Sequence, residues 1–475
     1  MRVLFIIPKV SGRFPGADIP HLGIGYLAAT LTKYGIEVKI LDMRLGYNHR
    51  EVRETIDLFN PQLVGMTVYS FGYRGAYSLI GEINNHADYK IVLGGPHISA
   101  IGTRALRESE ADFAVKGEGE ETFLELCKAR GKSNAGYGDI PGLIWRCGNE
   151  VIENKDRSFI DQLDSLPFPA YNNFELEKYF CYKDRSLPLI TSRGCPHHCI
   201  FCSVNLSMGR KFRPRSPENV VNEIEYWYDQ GWRKFEFHDD NFSSDIDRAK
   251  KICDLIVRKD LGIEWGLPNG VRADRLDEKL LEKMKASGCS RVAFGIESAN
   301  NDVLKKIKKG VRIEQVDEAI KMAKKLGMDI SGSFIVGHPA ENYHHFMESL
   351  DFARRQPLDQ INFYNLVPYP GTELLKWVKE NGTLLYPEEV YLNEISYWEP
   401  KPIFETVNFS VKERRKAYRL GHSLERKSIS RLKLGRFWGW IGWLLSSIPV
   451  LERIGIWMIK GTKTGRRLYR FARRC

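Results

Sequence analysis

The chain has 475 residues, 43% hydrophobic and 28% charged, the balance of a folded globular protein with material for two or three domains. Its nine cysteines, an odd number and mostly scattered, exclude a secreted disulfide framework and point to a reducing cytoplasm. The net charge of +11 is uneven: residues 411–475 hold 18 Lys/Arg against 3 Glu, about +15, leaving 11 − 15 = −4 for the first 410, so any nucleic-acid or membrane argument belongs to the tail.

The opening MRVLFIIPKV has one Arg before a short apolar run, with no small-residue cleavage site, and reads as a first strand rather than a signal peptide. Further strand-like runs follow at 37–41 (EVKIL), 63–68 (LVGMTV), 90–93 (KIVL) and 111–115, with helix-like stretches such as 25–34 and 73–87 between them. This β/α alternation predicts a doubly wound parallel sheet, a Rossmann-like domain over 1–130. Gly, Pro and Asn in 131–184, with LPFPAYNNF, read as a linker. A second alternation fills 185–375: PLITSRG, FEFHDD, IEWGLPNG, RVAFGIES, DISGSFIVG and INFYNLVP, separated by amphipathic helices such as 216–230, 277–287 and 313–326. Six β/α units suit a partial (β/α)6 barrel of TIM type, with its active site at the C-terminal ends of the strands. Residues 376–475 read as a helical C-terminal region. Its uncharged run 437–451 is 15 residues long, contains Pro449 and is flanked by Lys/Arg and Trp. That is shorter than the roughly 20 residues of a bilayer span and suits a membrane-interface segment.

TSRGCPHHCIFCS places Cys195, Cys199 and Cys202 at C-x3-C-x2-C, on a loop following a strand. Zinc normally takes four N/S ligands; a second cysteine pair is absent, although His197 and His198 keep zinc open. Three thiols in a reducing compartment argue against a disulfide. A cubane iron–sulfur cluster takes thiolates at such spacings, and three of them leave one iron open for chemistry. Of the remaining cysteines, Cys127 and Cys147 are too isolated to supply a second cluster, and Cys181, Cys253, Cys289 and Cys475 read as ordinary thiols, Cys181 being the one near enough to the barrel to check for a role at the cavity.

The loop, with aromatic Phe201 before its third cysteine, resembles the signature of the radical S-adenosylmethionine (SAM) superfamily. That resemblance implies a [4Fe-4S] cluster on Cys195, Cys199 and Cys202, whose open iron chelates SAM and cleaves it to a 5′-deoxyadenosyl radical. The later strand ends carry similar motifs: FHDDNF with Asp239 and Asp240, NGVRAD with Asn269, Arg272 and Asp274, FGIES with Glu297 and Ser298, IVGHPAE with Gly337, and VPYPGTEL. The resemblance places Asp239, Asp240, Glu297, Ser298 and Gly337 at the SAM site and gives Arg272 to the SAM carboxylate; N-capping is the alternative for the aspartates and an ion pair for Arg272.

The N-terminal domain is similar to the cobalamin-binding domain of class B radical SAM enzymes, through PHLGIGYLAATLTKYGIEVKILD, VGMTVYS, IVLGGPH and VKGEGEETF. Thr67, Ser70, Gly94 and Gly95 are the expected cobalamin contacts, at strand ends where a doubly wound sheet binds ligands. Asp-x-His-x-x-Gly is absent, because Ile19 stands two before His21, so His21 is expected to be a polar loop residue and not a cobalt ligand. The resemblance extends to methyltransferases and to the anaerobic magnesium-protoporphyrin IX monomethyl ester cyclase. It implies methylation of an unactivated carbon, the alternative being cyclisation or ring rearrangement without methyl transfer. A lipophilic small-molecule substrate, a reducing partner such as flavodoxin or ferredoxin, no nucleic acid, and a cytoplasmic location with peripheral contact at the inner face of the membrane complete the expectation.

Overall fold

The computed structural model describes residues 1–9, 17–83, 89–130 and 136–446, with side chains of the last helix up to Arg431. Strands β1 (Arg2–Ile7), β2 (Glu37–Asp42), β3 (Leu63–Thr67), β4 (Lys90–Gly94) and β5 (Phe113–Val115) run parallel in the order β2-β1-β3-β4-β5. Helices lie between them, so their residues are covered on both faces and the strands are near-continuous apolar runs; Val3 to Ile7 are all buried. The chain leaves β1 for β2 on one side and for β3 on the other, which opens a crevice at the C-terminal ends.

The stretch expected to be a linker also builds structure. Leu143–Cys147 (β6) and Glu150–Glu153 (β7) form a hairpin that pairs antiparallel with β5. Gly148, at φ +61°, supplies the positive φ of its two-residue turn. Beyond it, two tyrosines tie the connection to its neighbours. Tyr179 Oη donates to Asp42 at 2.6 Å, and Tyr171, fully buried, donates to the Pro188 carbonyl.

The second sheet is β8 (Ser186–Leu189), β9 (Lys234–Phe237), β10 (Glu264–Val271), β11 (Cys289–Glu297), β12 (Asp329–Val336) and β13 (Gln360–Asn365), parallel and in sequence order. The helices that return the chain start on side-chain caps: Ser216, Asp245, Asp277, Asn342 and Thr372 each accept a first-turn N–H. The helix Val411–Ser446 covers the outer edge strand β13: Ser428 Oγ accepts the Ile361 N–H at 3.1 Å. Gly421 lies flat on Phe363, whose ring a Cβ would meet at 2.6 Å. Covering an edge in this way removes a template for unwanted strand pairing. No helix among the described residues is long and apolar enough to cross a membrane. Residues 447–475, which include Pro449 and the end of the Trp-rich run, lie outside the described residues.

Candidate active site

The C-terminal ends of both sheets face one cavity of about 360 Å³. His21, Thr67, Tyr69, Gly94 and Gly95 line one side, and Ile190, Arg193, Met208 and His238 the other. Gly95 sits at φ +101°, and a Cβ there would stand 2.9 Å from Thr67 Oγ1, whereas a Cβ on Gly94 would meet nothing within 4 Å. Gly95 is thus a close backbone crossing against the end of β3, while Gly94 leaves its part of the cavity floor bare, so a ligand can approach the backbone there, as a corrin would need. Thr67 joins this floor; Ser70 instead lies 3.1 Å from Nδ1 of buried His97.

His21 is the N-cap of the helix Leu22–Lys33, its Nδ1 accepting the Ile24 N–H at 3.2 Å. Burial, helped by Arg44, lowers its pKa to about 4, so the ring is neutral at pH 7. A neutral ring whose Nδ1 accepts carries its proton on Nε2, which then donates to Tyr69 Oη 2.8 Å away. Nε2 thus has no lone pair to offer a metal. With cob(II)alamin bound, the electron paramagnetic resonance spectrum is expected to show no splitting from a protein nitrogen. A splitting that disappears in His21→Ala would show that the imidazole gives up its cap to bind cobalt.

On the barrel side, the cysteine loop is held by the end of β9. Asp239 accepts from Thr191 N and Oγ1, both at 2.6 Å, and from Ser192 Oγ at 2.5 Å. Asp240 accepts from Gly194 N at 3.0 Å, and its buried carboxyl is pushed up to about 6. Gly194 needs φ +81°, and a Cβ would overlap the Lys211 carbonyl. The aspartates fix this loop, and the helix cap offered as their alternative role belongs to Asp245. Cys195, Cys199 and Cys202 are free and half-buried; burial raises their pKa values, to about 11 for Cys202, while Lys309 and Arg272 pull Cys199 the other way. Among the described residues no three His, Cys, Asp or Glu are gathered as around one ion. A cubane asks for a different arrangement, each thiolate bonding a separate iron, and the donor set of three free thiols fits it.

The carboxylate-binding role expected of Arg272 meets a guanidinium already engaged. It grips Asp274 with two bonds of 3.0 Å and the carbonyls of Lys309 and Gly310 at 2.5 and 3.1 Å. What it holds in place is Lys309, a buried lysine whose ammonium lies 2.8 Å from Glu297 Oε1 and within electrostatic reach of Cys199. Sequence reasoning missed Lys309, which sits in a charged run, KKIKKG. Glu297 takes a strained φ of +65°, and Ser298 Oγ accepts the Asn300 N–H at 3.2 Å. Gly337 (φ +106°) donates its N–H to Glu341 at 2.6 Å, and Arg414 of the last helix donates to the Gly337 carbonyl at 3.0 Å. Burial lifts Glu341 to about 7. Next to Gly337 stands His338, fully buried, with neither ring nitrogen partnered among the described residues and its ring 5.7 Å from that of Phe201. An orphaned imidazole beside the cluster loop is a place for a ligand that hydrogen-bonds, as SAM does.

The sequence gives no sign of how the two halves are joined. Glu118 accepts from Arg193 Nη1 at 2.8 Å, from Arg213 Nη1 at 2.8 and 2.9 Å, and from Ile160 N at 2.7 Å; Glu120 takes Arg193 Nη2 at 2.7 Å. Arg193 also lies over the Tyr26 ring at 4.9 Å. The GEGE segment of the N-terminal domain therefore clamps the residue two before Cys195.

The profile of the Radical SAM superfamily matches residues 189–353 and that of the B12 binding domain residues 9–127. An uncharacterized methyltransferase of Pyrococcus horikoshii is 33% identical, covering 88% of this chain and 92% of its own length. The cytidylyl-2-hydroxyethylphosphonate methyltransferase of Streptomyces wedmorensis is 30% identical over 79% and 81%. The anaerobic magnesium-protoporphyrin IX monomethyl ester cyclase of Rubrivivax gelatinosus is also 30% identical, over 79% and 70%. Among solved structures, the cobalamin-dependent SAM radical enzyme OxsB shares the fold at TM-score 0.76 and 19% identity, covering 98% of this chain and 74% of that one. The chain belongs to the cobalamin-dependent radical SAM enzymes. Its cofactors are a [4Fe-4S] cluster, SAM and cobalamin, and the three thiols, the orphaned His338 and the glycine floor are where the residues present fit them.

Proposed function

We propose that this enzyme is a C-methyltransferase acting on an unactivated carbon of a lipophilic small molecule. One observation carries the reading: a single cavity is walled on one side by the glycine floor and on the other by residues flanking the cysteine loop. Bound there, the cluster and SAM supply a 5′-deoxyadenosyl radical and cobalamin supplies a transferable methyl group. The protein's part is placement. Asp239 and Asp240 set the loop, Arg272 sets Lys309 against Glu297, and Glu118 and Glu120 hold the loop to the opposite wall. No side chain is needed as a nucleophile; the protein's work is to position the cofactors and, with the ligands seated, to shield the radical from water.

The methyltransferase names of two of the relatives support this reading; the cyclase relative supports a second, ring closure without methyl transfer. In an anaerobic host fed methyl-labelled methionine, methyl transfer predicts an extractable product heavier by one labelled methyl than in cells expressing Cys199→Ala. A product of altered mass without label would decide for the cyclase reading.

The lipophilic part of the proposal rests on the tail, where four of the ten Trp lie among Lys and Arg. We place run 437–451 at the inner face of the cytoplasmic membrane, docked and not spanning. Full-length protein is expected to float with anionic liposomes and protein ending at 436 to stay behind; equal behaviour of the two would remove the membrane from the account.

A further inference from the structure

Cleaving SAM reductively consumes one electron, which has to enter from outside the protein. The cavity between the sheets is walled by protein on both sides, but the opposite side of the cysteine loop is open. Cys199 and Cys202 there form one wall of a groove of about 700 Å³, whose other wall is the helix Glu373–Asn381. The groove is firmly built. Leu374 N donates to the Ile200 carbonyl at 2.9 Å, and Ile200 N to the Ile307 carbonyl at 3.1 Å.

Its charge is distinctive. Arg210, Lys376 and Lys379 line the groove, all exposed, and none faces a carboxylate in an ion pair among the described residues. Of its two glutamates, Glu373 is neutralised by Lys308 at 2.6 Å, which leaves Glu380 alone against three cations. This positive spot stands on a body that nets −4 before residue 411, so it is not background. Local charge of one sign steers a partner of the other, raises its association rate and makes that rate salt-dependent.

We propose that this groove is the landing surface for a small acidic one-electron carrier protein, held by Arg210, Lys376 and Lys379 over the backbone of Cys199 and Cys202. One electron leaves the reduced carrier, which is oxidised, and enters the cluster, which is reduced; no bond or proton changes hands. The inference rests on the reading of the loop as a cluster site, and the test separates the two.

The full chain, reconstituted anaerobically with iron and sulfide, is mixed with photoreduced plant-type ferredoxin or with dithionite, and bleaching of the cluster absorbance is followed. Ferredoxin binding is measured in parallel by thermophoresis as ionic strength rises. The double variant K376E/K379E is expected to slow reduction by ferredoxin about tenfold at low salt, to weaken its binding and to flatten the salt dependence, with dithionite unaffected. Glu380→Lys is expected to speed ferredoxin and nothing else. Ferredoxin rates unchanged in both variants, or ferredoxin and dithionite slowed alike, would overturn the docking site. No cluster absorbance in the unmodified chain would instead sink the cluster reading, and the docking site with it.

Discussion

Cys199→Ala is expected to reduce 5′-deoxyadenosine formation to background while leaving cobalamin binding intact. Three thiolates are the minimum that leaves one iron free for SAM, and removing one leaves two open irons and a cluster that is not retained. The fold has no need of the side chain. The loop is positioned by Asp239 and Asp240, by the Ile200–Ile307 and Ile200–Leu374 backbone bonds and by Arg193, none of which uses the Cys199 thiol. The corrin floor, Thr67, Gly94 and Gly95, belongs to the other sheet. The check is paired: quantified 5′-deoxyadenosine after reconstitution, and a visible spectrum after hydroxocobalamin loading. Retained SAM cleavage would show that the thiol is no cluster ligand; lost cobalamin would show that the halves are coupled through it.

Glu118→Ala is expected to be the most destabilising single substitution at the junction, costing about 3–5 kcal/mol, the range for removing one partner of a buried ion pair. The residue is 6% exposed and, with Glu120, is one of two carboxylates facing two guanidinium groups that stay buried after it is gone. Of their hydrogen bonds among the described residues, Arg213 would keep those to the carbonyls of Ile160 and Met208 and Arg193 that to Glu120, and the Ile160 N–H would lose its carboxylate acceptor. Urea unfolding measures the loss. Glu118→Gln, which keeps the shape and one acceptor, is expected to lose less, and a variant within about 1 kcal/mol of the parent would show that the clamp adds little. Because Arg193 lies two residues before Cys195, the same variant is expected to take up less iron on reconstitution.

The parts of the fold that were legible in the sequence are those whose signal is local. Strands β1 to β5 and β8 to β13 are short apolar runs because parallel strands are buried on both faces, and each starts within two residues of its expected place, although the runs PLITSRG, FEFHDD and INFYNLVP continue three to five residues past their strands' ends. The hairpin β6–β7 was lost among Gly, Pro and Asn that read as connection, although LIWRC and EVIE are both strand-like and Gly148–Asn149 is a turn. In the site, the cysteines were legible because their ligand geometry is written into eight residues. Asp239 and Asp240 were legible as important but not in role, since their partners lie 46–48 residues away. Lys309 was illegible: a buried lysine and an exposed one look alike in KKIKKG until the partner Glu297, 12 residues back, is in place. His338 shows its orphaned nitrogens only once the surrounding chain is packed.

The two tyrosine bonds of the connecting segment bear on whether the two halves of this protein can be parted. Tyr179 is fastened to Asp42 in one sheet and Tyr171 to Pro188 in the other, and one continuous apolar core runs from Val3 through Tyr171 to Phe363. Two domains part without exposing their interiors only at a seam that few apolar contacts cross, and between these two halves the described chain offers none. The cobalamin half and the radical half are therefore expected to unfold as one cooperative unit, and either half expressed alone is expected to expose apolar surface and aggregate.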